Sequence, residues 1–214
     1  MKMSRRVDKI IIDKLIVGPM AVNCYVVADA ATKEACVIDP GLEPEKIKRA
    51  LKKNSLALRF IINTHGHADH IGANGYFNAP IFIHRLEADF LTDHQKNLSG
   101  PFGFLLKPSK PARLLEDKEM LRLGSMELEV IHTPGHTPGS ISIRASGIVF
   151  TGVTLFAGGI GRTDFSYGDE GLLLASIRER LFILPDETVM HPGHGDSSTI
   201  GEERRSNPFL QSEE

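Results

Sequence analysis

The segment Thr64-His65-Gly66-His67-Ala68-Asp69-His70 sets three imidazoles and one carboxylate within seven residues, directly after the apolar run Phe60-Ile61-Ile62. Imidazole and carboxylate together suit a borderline dication such as zinc. Ligands two residues apart can converge on a loop, whereas a helical zincin spaces its two histidines four apart around a glutamate. Two more histidines stand in turns rich in glycine and proline: His136 in Thr133-Pro134-Gly135-His136-Thr137-Pro138-Gly139, and His194 in His191-Pro192-Gly193-His194-Gly195. Both turns follow apolar stretches, so each candidate ligand sits just past a strand end. A rigid sheet can aim several such loops at one point.

The elements that must do this aiming are legible in outline. Residues near 9 to 17, 23 to 28 and 35 to 38 read as strands from their β-branched, apolar content and from the punctuation by Gly18-Pro19 and Asp39-Pro40-Gly41. Pro44 opens a helix in which Ile47, Ala50 and Leu51 share a face and the basic residues point outward. A strand from Leu58 to Asn63 delivers the first histidine loop. After a short strand at Ile81 to Ile83, His84 begins a predicted helix with Leu86, Phe90 and Leu91 facing the core. Residues 92 to 112 read as irregular. They carry Phe102, Phe104, Leu105 and Leu106 and form a candidate flap over the substrate pocket, with an oligomer contact or simple packing as the other readings. Alternation returns at Met126 to Ile131 and Ser140 to Ile143, followed by the apolar Ile148 to Phe150, and these form a second sheet. A helix from about Glu170 to Phe182 puts Leu173, Ile177 and Leu181 on one face.

The motifs together resemble the metallo-β-lactamase superfamily, over most of the length from Asn23-Cys24-Tyr25 to Thr199-Ile200-Gly201-Glu202-Glu203-Arg204-Arg205. The nearest likeness is to the short glyoxalase II-like (hydroxyacylglutathione hydrolase-like) metallohydrolases, supported by Gly161-Arg162-Thr163-Asp164-Phe165 and Asn207-Pro208-Phe209. The resemblance implies an α/β fold, an αββα four-layer sandwich. It also implies a first metal site on His65, His67 and His136 and a second on Asp69, His70 and His194. Zinc is the expected cofactor, one or two ions per chain, with iron or manganese as alternatives. In this family the strand Ile148-Val149-Phe150-Thr151-Gly152 would be followed by an aspartate bridging both metals, where this sequence has Val153. Three protein ligands per metal remain, the number typical of a catalytic zinc. The loss of a negative charge should weaken the second site, so a one-metal resting state is open.

The chemistry so implied is hydrolysis of a carbonyl compound, a thioester in the first instance, by a metal-bound hydroxide. Asp69 is expected to orient the nucleophile and shuttle a proton, and Arg162 is a candidate substrate anchor whose competing reading is an intramolecular ion pair. Three alternatives stand beside this one. The ligand sets left by Val153 resemble those of true β-lactam hydrolases; the Gly161 to Phe165 stretch resembles persulfide dioxygenases, whose iron-binding aspartate is missing here; and the valine could leave a catalytically impaired metal-binding scaffold. His132 and His84 read as supporting structure. His191 either reaches the site or ends a strand, the second reading being preferred because it lacks convergent partners.

Bulk properties narrow the rest. A chain of 214 residues accommodates one α/β domain, residues 1–214, without a second. It leaves no room for the helical C-terminal domain that helps longer glyoxalase II enzymes hold glutathione. With 25 basic and 27 acidic residues the formal charge is −2, which offers no global attraction to nucleic acid or anionic membrane. The basic start Met1-Lys2-Met3-Ser4-Arg5-Arg6 is followed by an apolar run too short for a secretory signal, and no membrane span is evident. Cys24 and Cys36 form no Cys-x-x-Cys pair and read as core residues of a cytoplasmic protein. The expected partner is a small-molecule substrate; the oligomeric state is open.

Overall fold

The computed structural model describes residues 10–211, so the basic segment Met1–Arg6 lies outside the described residues, as does residue 9, the first of the expected strand near 9 to 17. In chain order the elements are β1 (Ile10–Val17), β2 (Val22–Asp29), β3 (Glu34–Ile38), α1 (Pro44–Lys53), β4 (Ala57–Asn63), α2 (Ala68–Ile71), β5 (Ile81–His84) and α3 (Ser99–Phe102). There follow β6 (Arg113–Leu115), β7 (Met120–Leu123), β8 (Met126–His132), β9 (Ile141–Ala145), β10 (Ile148–Gly152), β11 (Leu155–Phe156) and β12 (Gly159–Ile160). The chain then runs through α4 (Glu170–Ser176), β13 (Val189–Pro192), β14 (Ser198–Thr199) and α5 (Ile200–Ser206). One six-stranded sheet has the order β1-β2-β3-β4-β5-β6 and the other β14-β13-β10-β9-β8-β7, with β11 and β12 forming a small hairpin.

The layers follow from which strand faces are apolar. Tyr25, Val27, Ile38 and Ile62 of the first sheet pack against Leu128, Val130, Ile143 and Phe150 of the second, and this is the central core. The opposite face of the first sheet offers Val26, Val37 and Ile61 to Ile47, Ala50 and Leu51 of α1. The opposite face of the second sheet offers Val149 and Met190 to Leu173, Ile177, Leu181 and Ile200. With helices outside two facing sheets, the arrangement is αββα. β3 and β4 are near-continuous apolar runs because parallel strands are covered on both faces.

Helix ends are written locally. α1 begins with Pro44 in the first turn, where the missing N–H costs nothing, and ends on Lys52 and Lys53, whose charge suits the helix C-terminus. Asp169 caps α4 by accepting from Leu172 N at 2.9 Å, and Thr199 caps α5 by accepting from Glu202 N at 3.2 Å. The expected helix from Glu170 to Phe182 is α4 continued by a π turn over Ile177–Leu181, and Leu173, Ile177 and Leu181 are buried as expected.

The stretch after His84 differs from expectation. It forms two single 3-10 turns, Arg85–Glu87 and Asp89–Leu91, instead of a helix. Phe90 and Leu91 are buried but Leu86 is exposed, and Glu87 is the residue that turns inward. The reason is polar: as shown below, Glu87 meets backbone N–H groups that an apolar side chain would leave unpaired. Residues 92 to 112 are irregular apart from the single turn of α3. The short strands β6, β7 and β14 were not evident in the sequence, whereas β13 is the strand that His191 was expected to end.

Candidate metal centre

The loops that carry the candidate ligands leave the sheets at one end. β3, β4 and β5 run parallel, so Asp39 and the 64–70 loop both follow C-terminal strand ends. In the second sheet β8 and β10 share a direction through antiparallel β9, and β13 is parallel to β10. The His136 and His194 loops and Val153 therefore emerge together. Thr64 O accepts from Ile141 N at 2.9 Å and Gly193 O from Asn23 N at 2.7 Å, stitching the sheets at this end. Close approach demands glycine twice. Gly152 has φ 52°, and a Cβ there would lie 2.5 Å from Thr64 Oγ1; a Cβ on Gly66 would lie 2.3 Å from Phe90 Cβ.

Three overlapping groups of three donors result, the donor atoms of each within 4.8 Å of one another: His65, His67 and His136; Asp69, His70 and His194; and Asp39, His65 and His70. The first two are the groups the sequence led one to expect. His65, His67, His136 and His70 are buried. Three of the rings, His70, His136 and His194, are fixed through their other nitrogen. His136 Nδ1 donates to Arg162 O at 2.7 Å, and His194 Nδ1 donates to Met20 O at 3.1 Å; a carbonyl only accepts, so Nδ1 carries the proton and Nε2 presents a lone pair. His70 Nδ1 meets Asp39 Oδ2 at 2.9 Å, which leaves its Nε2 inward as well. His70 Nε2 and His194 Nε2 consequently face each other at 3.2 Å, with Asp69 Oδ2 at 3.5 and 3.7 Å from them. His136 Nε2 lies 2.9 Å from His67 Nδ1, and buried His65 Nε2 has no hydrogen-bond partner.

These distances test the fit of a metal. Two imidazole nitrogens bound tetrahedrally at ~2.0–2.1 Å would stand about 3.3 Å apart. The donor nitrogens already stand near that spacing in a buried setting, and the partnerless Nε2 of His65 carries a desolvation cost that a bound cation would relieve. The donor set is that of a borderline dication. Burial lowers the pKa of His67 to about 2 and of His136 to about 4, with neighbouring imidazoles adding to the shift on His67, and it holds His65 well below the ordinary value. All three rings are thus neutral and able to ligate at pH 7. His70 differs. Burial opposes its charged form, but Asp69 and Asp39 outweigh burial and raise its pKa.

Two carboxylates that sequence reasoning missed support these ligands. Asp39, which read only as turn punctuation, accepts from Thr64 N at 2.7 Å and Thr64 Oγ1 at 2.6 Å besides orienting His70. Glu87 is fully buried and accepts from Gly66 N at 2.9 Å and Gly139 N at 2.8 Å. It therefore clamps the His65–His67 turn to the His136 loop, and burial pushes its carboxyl up to about 7. No local pattern distinguishes Glu87 in the sequence, whereas the Asp39-Pro40-Gly41 turn directly before a helix could have flagged Asp39 as a loop residue at a strand end. Asn23 and Tyr25 hold the His194 loop through Pro192 O, at 2.9 and 2.7 Å.

A cavity of about 230 Å³ opens over the six donors of the first two groups. Val153 lines it, mostly buried, and so do Leu98, Phe102 and Phe104 from the 92–112 segment. Asn97 O accepts from Ala68 N at 2.8 Å, which ties that segment to the start of α2. Arg162 stands at the cavity with its guanidinium bound to both carboxylate oxygens of Asp164 and stacked 3.8 Å from the Phe165 ring centroid. His132 and His84 stack on each other with ring centroids 4.3 Å apart, and His132 Nε2 donates to Pro138 O behind the His136 loop. His191 packs on Phe150 and Tyr25 and bonds Ser197 Oγ; it belongs to none of the donor groups. Cys24 and Cys36 are buried free thiols, and burial pushes Cys36 up to about 12. Among the described residues no helix is long and apolar enough to cross a membrane.

Residues 17–198 match the sequence profile of the Metallo-beta-lactamase superfamily. The chain belongs to the metallo-beta-lactamase superfamily. The hydroxyacylglutathione hydrolase GloC of Haemophilus influenzae is 39% identical over 198 residues, covering 89% of this chain and 93% of that protein. Among solved structures, BLEG-1 B3 metallo-beta-lactamase superposes with a TM-score of 0.90 at 37% identity, covering 94% of this chain and 100% of that one. TTHA1623 in a di-iron-bound form gives 0.81 at 34% identity, covering 92% and 100%. These relatives agree with the two-sheet architecture and with a metal-binding metallo-hydrolase superfamily, and they leave the choice between zinc and iron to the chain's own chemistry.

Proposed function

We propose that this protein is a metal-dependent hydrolase acting on a small carbonyl compound, a thioester in the first instance, with zinc as its metal. One observation carries the reading: two sets of three donor side chains open onto a single cavity. His65, His67 and His136 would hold the first ion, and Asp69, His70 and His194 the second. Bound there, a dication supplies Lewis acidity that activates water near neutral pH and polarises the substrate carbonyl.

The chain's own residues do the rest. Asp69 Oδ2, the partly exposed carboxylate at the cavity, orients the attacking water and takes its proton, then returns it to the leaving group. Asp39 fixes the His70 ring so that Nε2 faces the cavity, and the Arg162 carbonyl does the same for His136. The apolar wall formed by Phe102, Phe104, Phe156 and Ile160 keeps bulk water from the reacting carbonyl. Val153 leaves the second ion without a bridging carboxylate, so the first site is the better occupied.

A second reading is favoured by the superposition on BLEG-1 B3 metallo-beta-lactamase, namely cleavage of a β-lactam. The zinc-loaded protein should be assayed with a set of charged and neutral thioesters and with a chromogenic cephalosporin. Turnover of at least one thioester, abolished by Asp69→Asn and by chelation, is expected. Turnover of the cephalosporin alone would replace the thioester reading with the lactam one, and no turnover of either would remove the hydrolase reading.

A further inference from the structure

The cavity over the metal-binding side chains is apolar nearly everywhere else. Apart from the six donors it is lined by apolar side chains and one basic residue, Arg162. That guanidinium is not free, since both Nε and Nη2 are bonded to Asp164, at 2.7 and 2.6 Å, and its face lies on Phe165. A substrate carboxylate entering the cavity would therefore have to displace an existing bidentate partner, and a substrate ammonium would find only Asp69, a donor already. The wall therefore offers hydrocarbon to the part of a substrate that lies away from the donors, and it favours apolar substituents there.

Size adds a second constraint. A cavity of about 230 Å³ accepts one short apolar group against the donors, while the rest of a substrate extends toward the open side. The aromatic rings that close the cavity come from three segments, one of them Phe156 on β11. Phe102 and Phe104 lie on the 92–112 loop, and Phe165 lies beyond β12, with Phe102 and Phe165 centroids 6.1 Å apart in an edge-to-face contact. Phe165 also lies edge-on to His67, 6.0 Å away, which sets the apolar wall directly beside the first donor group.

From this we infer that the site takes uncharged thioesters with a short apolar acyl chain of about four to six carbons, and that the acyl chain, rather than a charged thiol moiety such as glutathione, supplies the specificity. The inference rests on the thioesterase reading above, but its binding component does not depend on turnover. Each methylene buried in an apolar wall tightens binding about fourfold.

The test uses two series with the zinc-loaded protein. In the first, acetyl, butyryl and hexanoyl thioesters of N-acetylcysteamine are compared with lactoylglutathione by kcat/KM. In the second, the butyl and hexyl thioethers of N-acetylcysteamine, which cannot be hydrolysed, are compared with S-hexylglutathione by calorimetry. The expected results are a rise of about tenfold or more for every two methylenes in both series, and no tighter binding of S-hexylglutathione than of the neutral hexyl thioether. Phe102→Ala, at a half-exposed ring whose removal leaves the core intact, should flatten the chain-length dependence in both series. A flat dependence, or S-hexylglutathione binding at least tenfold tighter than its neutral counterpart, overturns the inference. Graded thioether binding without any thioester turnover would sink the hydrolase reading and leave the cavity's selectivity standing; turnover without gradation would do the reverse.

Discussion

At the scale of single residues the account turns on lone-pair direction. His70 and His194 turn their Nε2 atoms toward each other because Asp39 and the Met20 carbonyl hold their other nitrogens. Asp39→Asn keeps the shape but weakens the partner of His70 Nδ1, and losses of this kind typically cost 10- to 100-fold in metal affinity. Isothermal titration of the metal-free protein with zinc should show such a loss at the second site and little change at the first. Val153 bears on the same site from the opposite direction. It lines the cavity beside the donors and can ligate nothing, so Val153→Asp is expected to raise second-site occupancy, measured as metal per chain by elemental analysis. Equal occupancy in both proteins would show that a carboxylate at this position does not bind the ions.

At the scale of elements, strands aim and two buried carboxylates lock. Glu87 holds the Gly66 and Gly139 N–H groups of two ligand loops, and Glu87→Gln would turn a donor toward one of them. An unfolding free energy lowered by about 1–3 kcal/mol is expected from denaturant titration, with faster zinc loss to a chelator. Asp29 links the sheets at the opposite end by accepting from Ser125 N and Oγ at 2.6 and 2.7 Å, and these bonds hold its carboxyl well below the usual range. Because its folded pKa is depressed, its stabilisation is complete above the unfolded carboxylate pKa and is lost as pH falls below about 4. The difference in melting temperature between wild type and Asp29→Asn should therefore shrink on acidification from pH 6 to pH 3. Strands β4 and β10 were legible because Phe60-Ile61-Ile62 and Ile148-Val149-Phe150 are runs that must be covered on both faces. Glu87 was not, because a buried carboxylate inside an apolar-rich stretch is meaningful only through partners 21 and 52 residues away. The short strands β6, β7 and β14 escaped for a related reason: two to four residues at a sheet edge carry no periodicity, and their place is fixed by neighbours.

At the scale of the whole molecule, the site is the seam between two sheets. His65, His67, Asp69 and His70 belong to the first sheet's loops and His136 and His194 to the second's, so a metal ion bridges both halves as well as serving a reaction. Ligand binding to the folded state alone contributes about 2.7 kcal/mol at a hundredfold excess over Kd, or a rise in melting temperature of roughly 5–10 °C for a chain of this size. Chelation should reverse that rise. The central claim, that six side chains from three turns hold the ions, is tested most directly by measuring zinc per chain in the natural protein, His136→Ala and His194→Ala after equilibration at limiting free zinc. The expected result is near-complete loss of bound metal in His136→Ala, and in His194→Ala loss of second-site metal alone. Unchanged stoichiometry and affinity in both variants would contradict the account.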